Sequence, residues 1–107
     1  MFRVIAGLAL SVAATAAAQD AKVVQGQKVY ADQKCALCHS LGDKGNKKGP
    51  LDGVASKLKA AEVREWIADA KGMTAKTKAA RKPEMKAYTL PKEEVDALVA
   101  YMMTLKE

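Results

Sequence analysis

Cys35-Ala36-Leu37-Cys38-His39 gathers both cysteines and the single histidine of the chain into one run. Two thiols separated by two residues, with an imidazole next in line, suit three kinds of chemistry. They can close a tight, redox-active disulfide, contribute to a zinc site, or form two thioether bonds to the vinyl carbons of a haem whose iron takes the imidazole. The disulfide, used as in thioredoxin, needs a strand feeding a helix within a sheet. A structural zinc site wants four protein ligands, and beyond these three only carboxylates are left to complete it. Haem attachment asks for nothing further. The spacing sets the sulfurs about one helical turn apart, which suits neighbouring vinyl groups, and the next residue then reaches under the ring.

Iron held by His39 has one more position to fill, and a thioether there stabilises the reduced state. The chain has five methionines. Met1 belongs to an expected leader, and Met102 and Met103 lie in a final helix whose apolar stripe is committed to packing. Met73 and Met85 remain. Met73 follows Gly72 at an expected helix end, where a flexible methionine can simply fill the core. Met85 stands in a proline-bounded loop, Arg81 to Pro91, whose extended backbone can carry a sulfur across to the iron, and it is preferred.

The elements that must position these residues are helical. Period-two alternation is not sustained anywhere, so no strand is expected, whereas helical spacing recurs three times. The first helix is expected over Val24 to Lys34, running directly into Cys35. The second spans Ala60 to Ala70, with Val63, Trp66, Ile67 and Ala70 on one face and Gly72 as its stop. The third spans Pro91 to Leu105, with Val95, Leu98, Val99, Met102 and Leu105 forming a stripe. Proline suits its first turn, and Glu93 and Glu94 complement the positive end of the helix dipole. Residues 41–51 and 74–90 read as loops. Long ordered loops in so small a domain need something inside to wrap, because their backbone groups cannot be buried unpaired.

Composition narrows the class. A short apolar run, Val4 to Ala18, follows one early positive charge and ends in small residues at Ala16 and Ala18. A bilayer core needs about 20 apolar residues. The run therefore reads as a secretory signal over residues 1–18, cleaved after Ala18, with an uncleaved anchor as the alternative. Residues 19–107 form one domain, whose small core wants a staple such as a large apolar cofactor. The formal net charge is +6, which favours acidic partner surfaces. Few aromatics and no binding motif speak against nucleic acid. Lys44, Lys47, Lys48, Lys76, Lys78, Arg81, Lys82 and Lys86 fall in the two loops that would flank an exposed haem edge, where they would steer such partners.

Four stretches resemble class I monohaem cytochromes c of the bacterial periplasmic type, and the likeness covers residues 23–106. They are Gly26 with Tyr30 ahead of Cys35-Ala-Leu-Cys-His39, Lys48-Gly-Pro-Leu-Asp-Gly53, Lys82-Pro-Glu-Met-Lys-Ala-Tyr88, and Leu98-Val-Ala-Tyr101. The resemblance implies an all-α fold of three main helices and loops around one covalently attached haem c, the first and last helices crossing at Gly26. It implies thioethers at Cys35 and Cys38 and axial iron ligands His39 and Met85, with Met73 the runner-up. The carbonyl of Pro50 would accept the outer ring N–H of His39. Trp66 would reach a haem propionate and Tyr88 would line the pocket, though core or surface packing explains both equally well. The expected activity is single-electron transfer in the periplasm, without enzyme chemistry or a small-molecule substrate. Its partners would be redox proteins with acidic docking surfaces, the chain acting as a monomer or as a subunit of a redox complex. The alternatives are a haem subunit of a dehydrogenase or oxidase and, from another class, a small-ligand sensor.

Overall fold

The computed structural model describes residues 5–107, with side chains from residue 17 onward. Most of the expected leader lies outside these described side chains. Among the described residues no helix is long and apolar enough to cross a membrane.

Helix α1 spans Ile5–Asp32, a longer element than the expected Val24–Lys34. Its alanine-rich first half favours the helical backbone without needing a partner. Side chains are exposed from Ala17 through Lys22, and packing begins at Val23. From there Gly26 and Val29 face the last helix, α5 (Lys92–Met102). A Cβ at Gly26 would overlap the carbonyl oxygen of Ala97, so glycine is what allows the two backbones to cross so closely. Tyr30 meets Tyr101 edge to face, with ring centroids 5.8 Å apart.

Lys34 turns the chain out of α1 through a left-handed conformation, φ 57°. A single 3-10 turn, Cys35–Leu37, follows. Two short strands, β1 (Ser40–Leu41) and β2 (Lys44–Gly45), then pair antiparallel across Gly42 and Asp43. This hairpin departs from the expectation of no strand, and its cause is local. Gly42 accepts the positive φ, 61°, that a tight two-residue hairpin turn demands. Asp52 then accepts a hydrogen bond from the Gly42 N–H at 2.9 Å.

One turn of helix, α2 (Val54–Lys57), leads to α3 (Ala60–Ala68) and α4 (Ala70–Thr77). The sequence led to one helix ending at Gly72. Instead α3 stops two residues earlier, because Asp69 caps a new helix by accepting from the Gly72 N–H at 3.1 Å. Gly72 thus lies inside α4. At α5, the carbonyl of Pro91 accepts from Glu94 and Val95, so proline stands just outside the first turn. Val95, Leu98, Val99 and Met102 are buried as their spacing predicts, and they close a core with Val29, Val63 and Ile67. Arg64 of α3 is ion-paired with Asp96 of α5, which also holds Lys92 at 3.0 Å. The architecture is all-α, with loops 41–53 and 78–91 on the side where Cys35 emerges.

Candidate functional site

A cavity of about 280 Å³ opens between these loops and the core. Its wall is mostly apolar: Leu51, Val54, Leu58, Val63, Ile67 and Leu98 contribute to it. Cys35, Cys38 and His39 line it from the turn after α1, and Met85 lines it from the loop before α5. Trp66 lines it from α3, beside the buried Val63 and Ile67 of the same helix.

His39 is held at its outer nitrogen. Nδ1 lies 3.0 Å from the carbonyl oxygen of Gly49, so an Nδ1–H there donates and leaves Nε2 free as a ligand. The expected acceptor was Pro50. That residue is exposed and lies outside the cavity wall. The pairing of the loop explains the difference. Ser40 N–H donates to Gly49 O at 3.1 Å, and Leu51 N–H donates to Ser40 O at 2.9 Å. Ser40 and Pro50 are thereby bridged in parallel, with the Gly49 carbonyl turned towards residues 39–40. Successive carbonyls of an extended segment point to opposite sides, so the next one faces away.

Burial pushes the His39 imidazole below its ordinary pKa, the Gly49 bond opposes this, and the Arg81 guanidinium adds to the lowering. The neutral form is the one that binds metal. Burial likewise raises the Cys35 thiol.

Met73 is 6% exposed, belongs to the buried interior of α4, and is not part of the cavity wall. Of the two candidate sulfurs, only Met85 meets Cys35, Cys38 and His39 at one cavity. Tyr88 does not reach the main wall. It lines a small adjoining cavity with Cys35, Ile67 and Met85, and burial raises its phenol. The Nζ of Lys86 sits 5.1 Å from the Tyr88 ring centroid.

Arg81 departs in position from the lysines expected beside it at the haem edge. Lys44, Lys47, Lys48, Lys76, Lys78, Lys82 and Lys86 are exposed, whereas Arg81 is half-buried and lines the cavity. Gly49 and Tyr30 also belong to the site, and sequence reasoning assigned neither to it in that role. The signal for Gly49 was its place between a lysine pair and a proline. A Cβ there would overlap the Arg81 guanidinium and the Cys38 carbonyl.

The donor set and the wall fit a haem. Two thiols, an imidazole whose Nδ1 is held by a carbonyl, and the thioethers of Met85 and Met102 line one apolar cavity, Met102 from the core stripe of α5 and Met85 from the loop before it. Two enclosed polar atoms at that cavity, Tyr30 Oη and Arg81 Nε, have no hydrogen-bond partner among the described residues. The thiols of Cys35 and Cys38 are free. Among the described residues, no three His, Cys, Asp or Glu side chains cluster to hold a metal ion without a cofactor.

Comparison with curated proteins and with solved structures gives no match. A protein-family comparison matches residues 23–106 to the family described as Cytochrome c. The chain accordingly belongs to the cytochrome c family, with a covalently bound c-type haem and a role in haem-based electron transfer.

Proposed function

We propose that residues 19–107 form a periplasmic single-electron carrier, exported by a cleaved leader over residues 1–18. In this reading Cys35 and Cys38 would hold the haem through thioethers, and His39 and Met85 would ligate its iron. The observation that carries it is the meeting of these four side chains at one apolar cavity, with Met73 packed elsewhere.

When bound, the haem supplies a one-electron couple at its iron. The chain's own residues do the rest. The tether at Cys35 and Cys38 keeps the cofactor from exchanging. The Gly49 carbonyl orients His39 and makes Nε2 a stronger donor. With Met85 as the second ligand the iron would keep no open position for a substrate, so this reading is of a carrier and not of an enzyme. Leu51, Val54, Leu58 and their neighbours exclude water, which limits solvent reorganisation as charge comes and goes. Trp66 lines the main cavity, and Tyr88 lines the small adjoining cavity that Met85 shares. Partners with acidic docking surfaces are favoured by the exposed loop lysines.

The test is a mass and an absorption spectrum of the exported protein, oxidised and reduced. The mature chain should begin at Gln19 and carry the mass of one haem. Met85→Ala should lose the sulfur ligand, change spin state and bind carbon monoxide when reduced. Met73→Ala should keep the parent spectrum. If Met73→Ala loses the sulfur ligand and Met85→Ala keeps it, the ligand assignment is wrong. Carbon monoxide binding by the unaltered reduced protein at neutral pH would favour a ligand sensor over a carrier.

A further inference from the structure

The segment that presents Met85 has no backbone ladder to hold it. Among the described residues, no N–H or carbonyl of residues 80–90 bonds to another backbone group; such bonds stop at Ala79 and resume at Pro91. No helix or strand forms across it. A segment without those bonds opens easily, unless its side chains fix it.

Two of those side chains meet. Lys86, next to Met85 in the chain, sets its Nζ 5.1 Å from the centre of the Tyr88 ring. Tyr88 is half-buried and shares a cavity of about 20 Å³ with Met85, Cys35, Ile67 and Leu98. Ile67 and Leu98 belong to the buried core, so the ring has a rigid surface across that cavity. Among the described residues the ion pairs are Lys57–Glu107, Arg64–Asp96, Lys82–Glu84 and Lys92–Asp96, and none includes Lys86. Glu84, two residues away, is turned to Lys82 at 3.3 Å. The ring face is thus what the Lys86 ammonium meets. A cation over an aromatic face is drawn to its negative quadrupole, and the lysine stem covers apolar surface on the way.

We propose that the Tyr88 ring, capped by Lys86, is the clasp that holds Met85 at the iron. Lys86 and Tyr88 are positioning residues in this role, which rests on the reading of Met85 as an axial ligand. With the clasp closed, the segment keeps one conformation and the sulfur is preorganised. With it open, the sulfur leaves more often, and a competing ligand gains affinity in proportion to that open fraction.

The experiment uses exported holoprotein whose haem mass has been verified, with imidazole competing for the Met85 position and binding followed by absorption. Met85→Ala is measured first: a parent spectrum and parent imidazole affinity there would remove the ligand assignment itself, separately from the clasp. Lys86→Gln should tighten imidazole binding about two- to fivefold, which is what an exposed cation over a ring contributes. Lys82→Gln removes the same charge from the Glu84 pair and should keep the parent's affinity. Tyr88→Leu should tighten binding more than Lys86→Gln does, whereas Tyr88→Phe, which retains a ring face, should stay near the parent. Adding Lys86→Gln to Tyr88→Leu should change nothing further, because the cation has lost its ring. A Tyr88→Leu protein with the parent's affinity overturns the proposal, as does a Lys86→Gln effect of equal size with and without the ring. Should Tyr88→Leu fail to mature, the lysines still decide: equal imidazole affinities for Lys86→Gln and Lys82→Gln overturn it too.

Discussion

At the scale of single residues, the site turns on what the His39 ring nitrogen faces. The Gly49 carbonyl, 3.0 Å away, sets the tautomer that leaves Nε2 for iron. The same glycine gives room to the Arg81 guanidinium and the Cys38 carbonyl. Gly49→Val should therefore cost about 1–3 kcal/mol by overpacking, read from denaturant unfolding of the holoprotein. Pro50→Ala, at an exposed position, should stay within about 1 kcal/mol. Equal losses at the two positions would contradict the close packing of Arg81 and the Cys38 carbonyl on Gly49. Tyr30 belongs at this scale too. Burial pushes its phenol up to about 12, so it remains a neutral hydroxyl at the cavity wall throughout the working pH range.

Among the elements, α1 and α5 form the frame, and α3 is pinned to it by charge. Asp96 accepts from Lys92 and Arg64, and those hydrogen bonds hold its carboxyl below the usual aspartate range. A carboxyl lowered on folding stabilises the fold above its unfolded pKa, and that contribution is lost as pH falls through the lowered folded value. Asp96→Asn should thus lower the melting temperature at neutral pH. The gap to the parent should close as the solution is acidified past the carboxylate range. A gap that stays constant on acidification would mean that packing, and not charge, is lost. The break between α3 and α4 has a similarly local cause in the Asp69 cap. It redirects the chain after Trp66 and Ile67, so that α4 buries Met73 away from the cavity.

Taken as a whole, the molecule is basic, with a formal net charge of +6. Exposed Lys47, Lys48, Lys78, Lys82 and Lys86 stand on the loops that border the cavity, whereas Lys76, expected on a loop, lies in the last turn of α4 and Lys44 in β2; Leu37, 71% exposed, sits between the two cysteines. Charge so placed acts on encounter rates, and salt screens it over about 8–10 Å at ordinary ionic strength. Neutralising Lys82 and Lys86 together, as Lys82→Gln and Lys86→Gln, should slow electron transfer with an acidic redox partner at low salt. The difference should shrink as salt is added. Stopped-flow rates across a salt series check this, and an unchanged low-salt rate would remove these two lysines from the docking surface.

Much of this was legible in residue order alone, because it depends on neighbours. The Cys-x-x-Cys-His run holds the chain's only thiols and its only imidazole, and the stripe Val95, Leu98, Val99 and Met102 is a matter of helical period. The crossing at Gly26 was legible through the family resemblance. What only the tertiary structure decided depends on pairing between distant segments. Gly49 and not Pro50 holds His39, because the parallel bridge between Ser40 and Pro50 sets which carbonyl turns inward, and a shift of one residue reverses the answer. Arg81 reads as one more loop cation among lysines, yet the fold encloses its Nε at the cavity while leaving those lysines in water. Burial is set by what the rest of the chain packs against a side chain, and residue type alone does not carry that information.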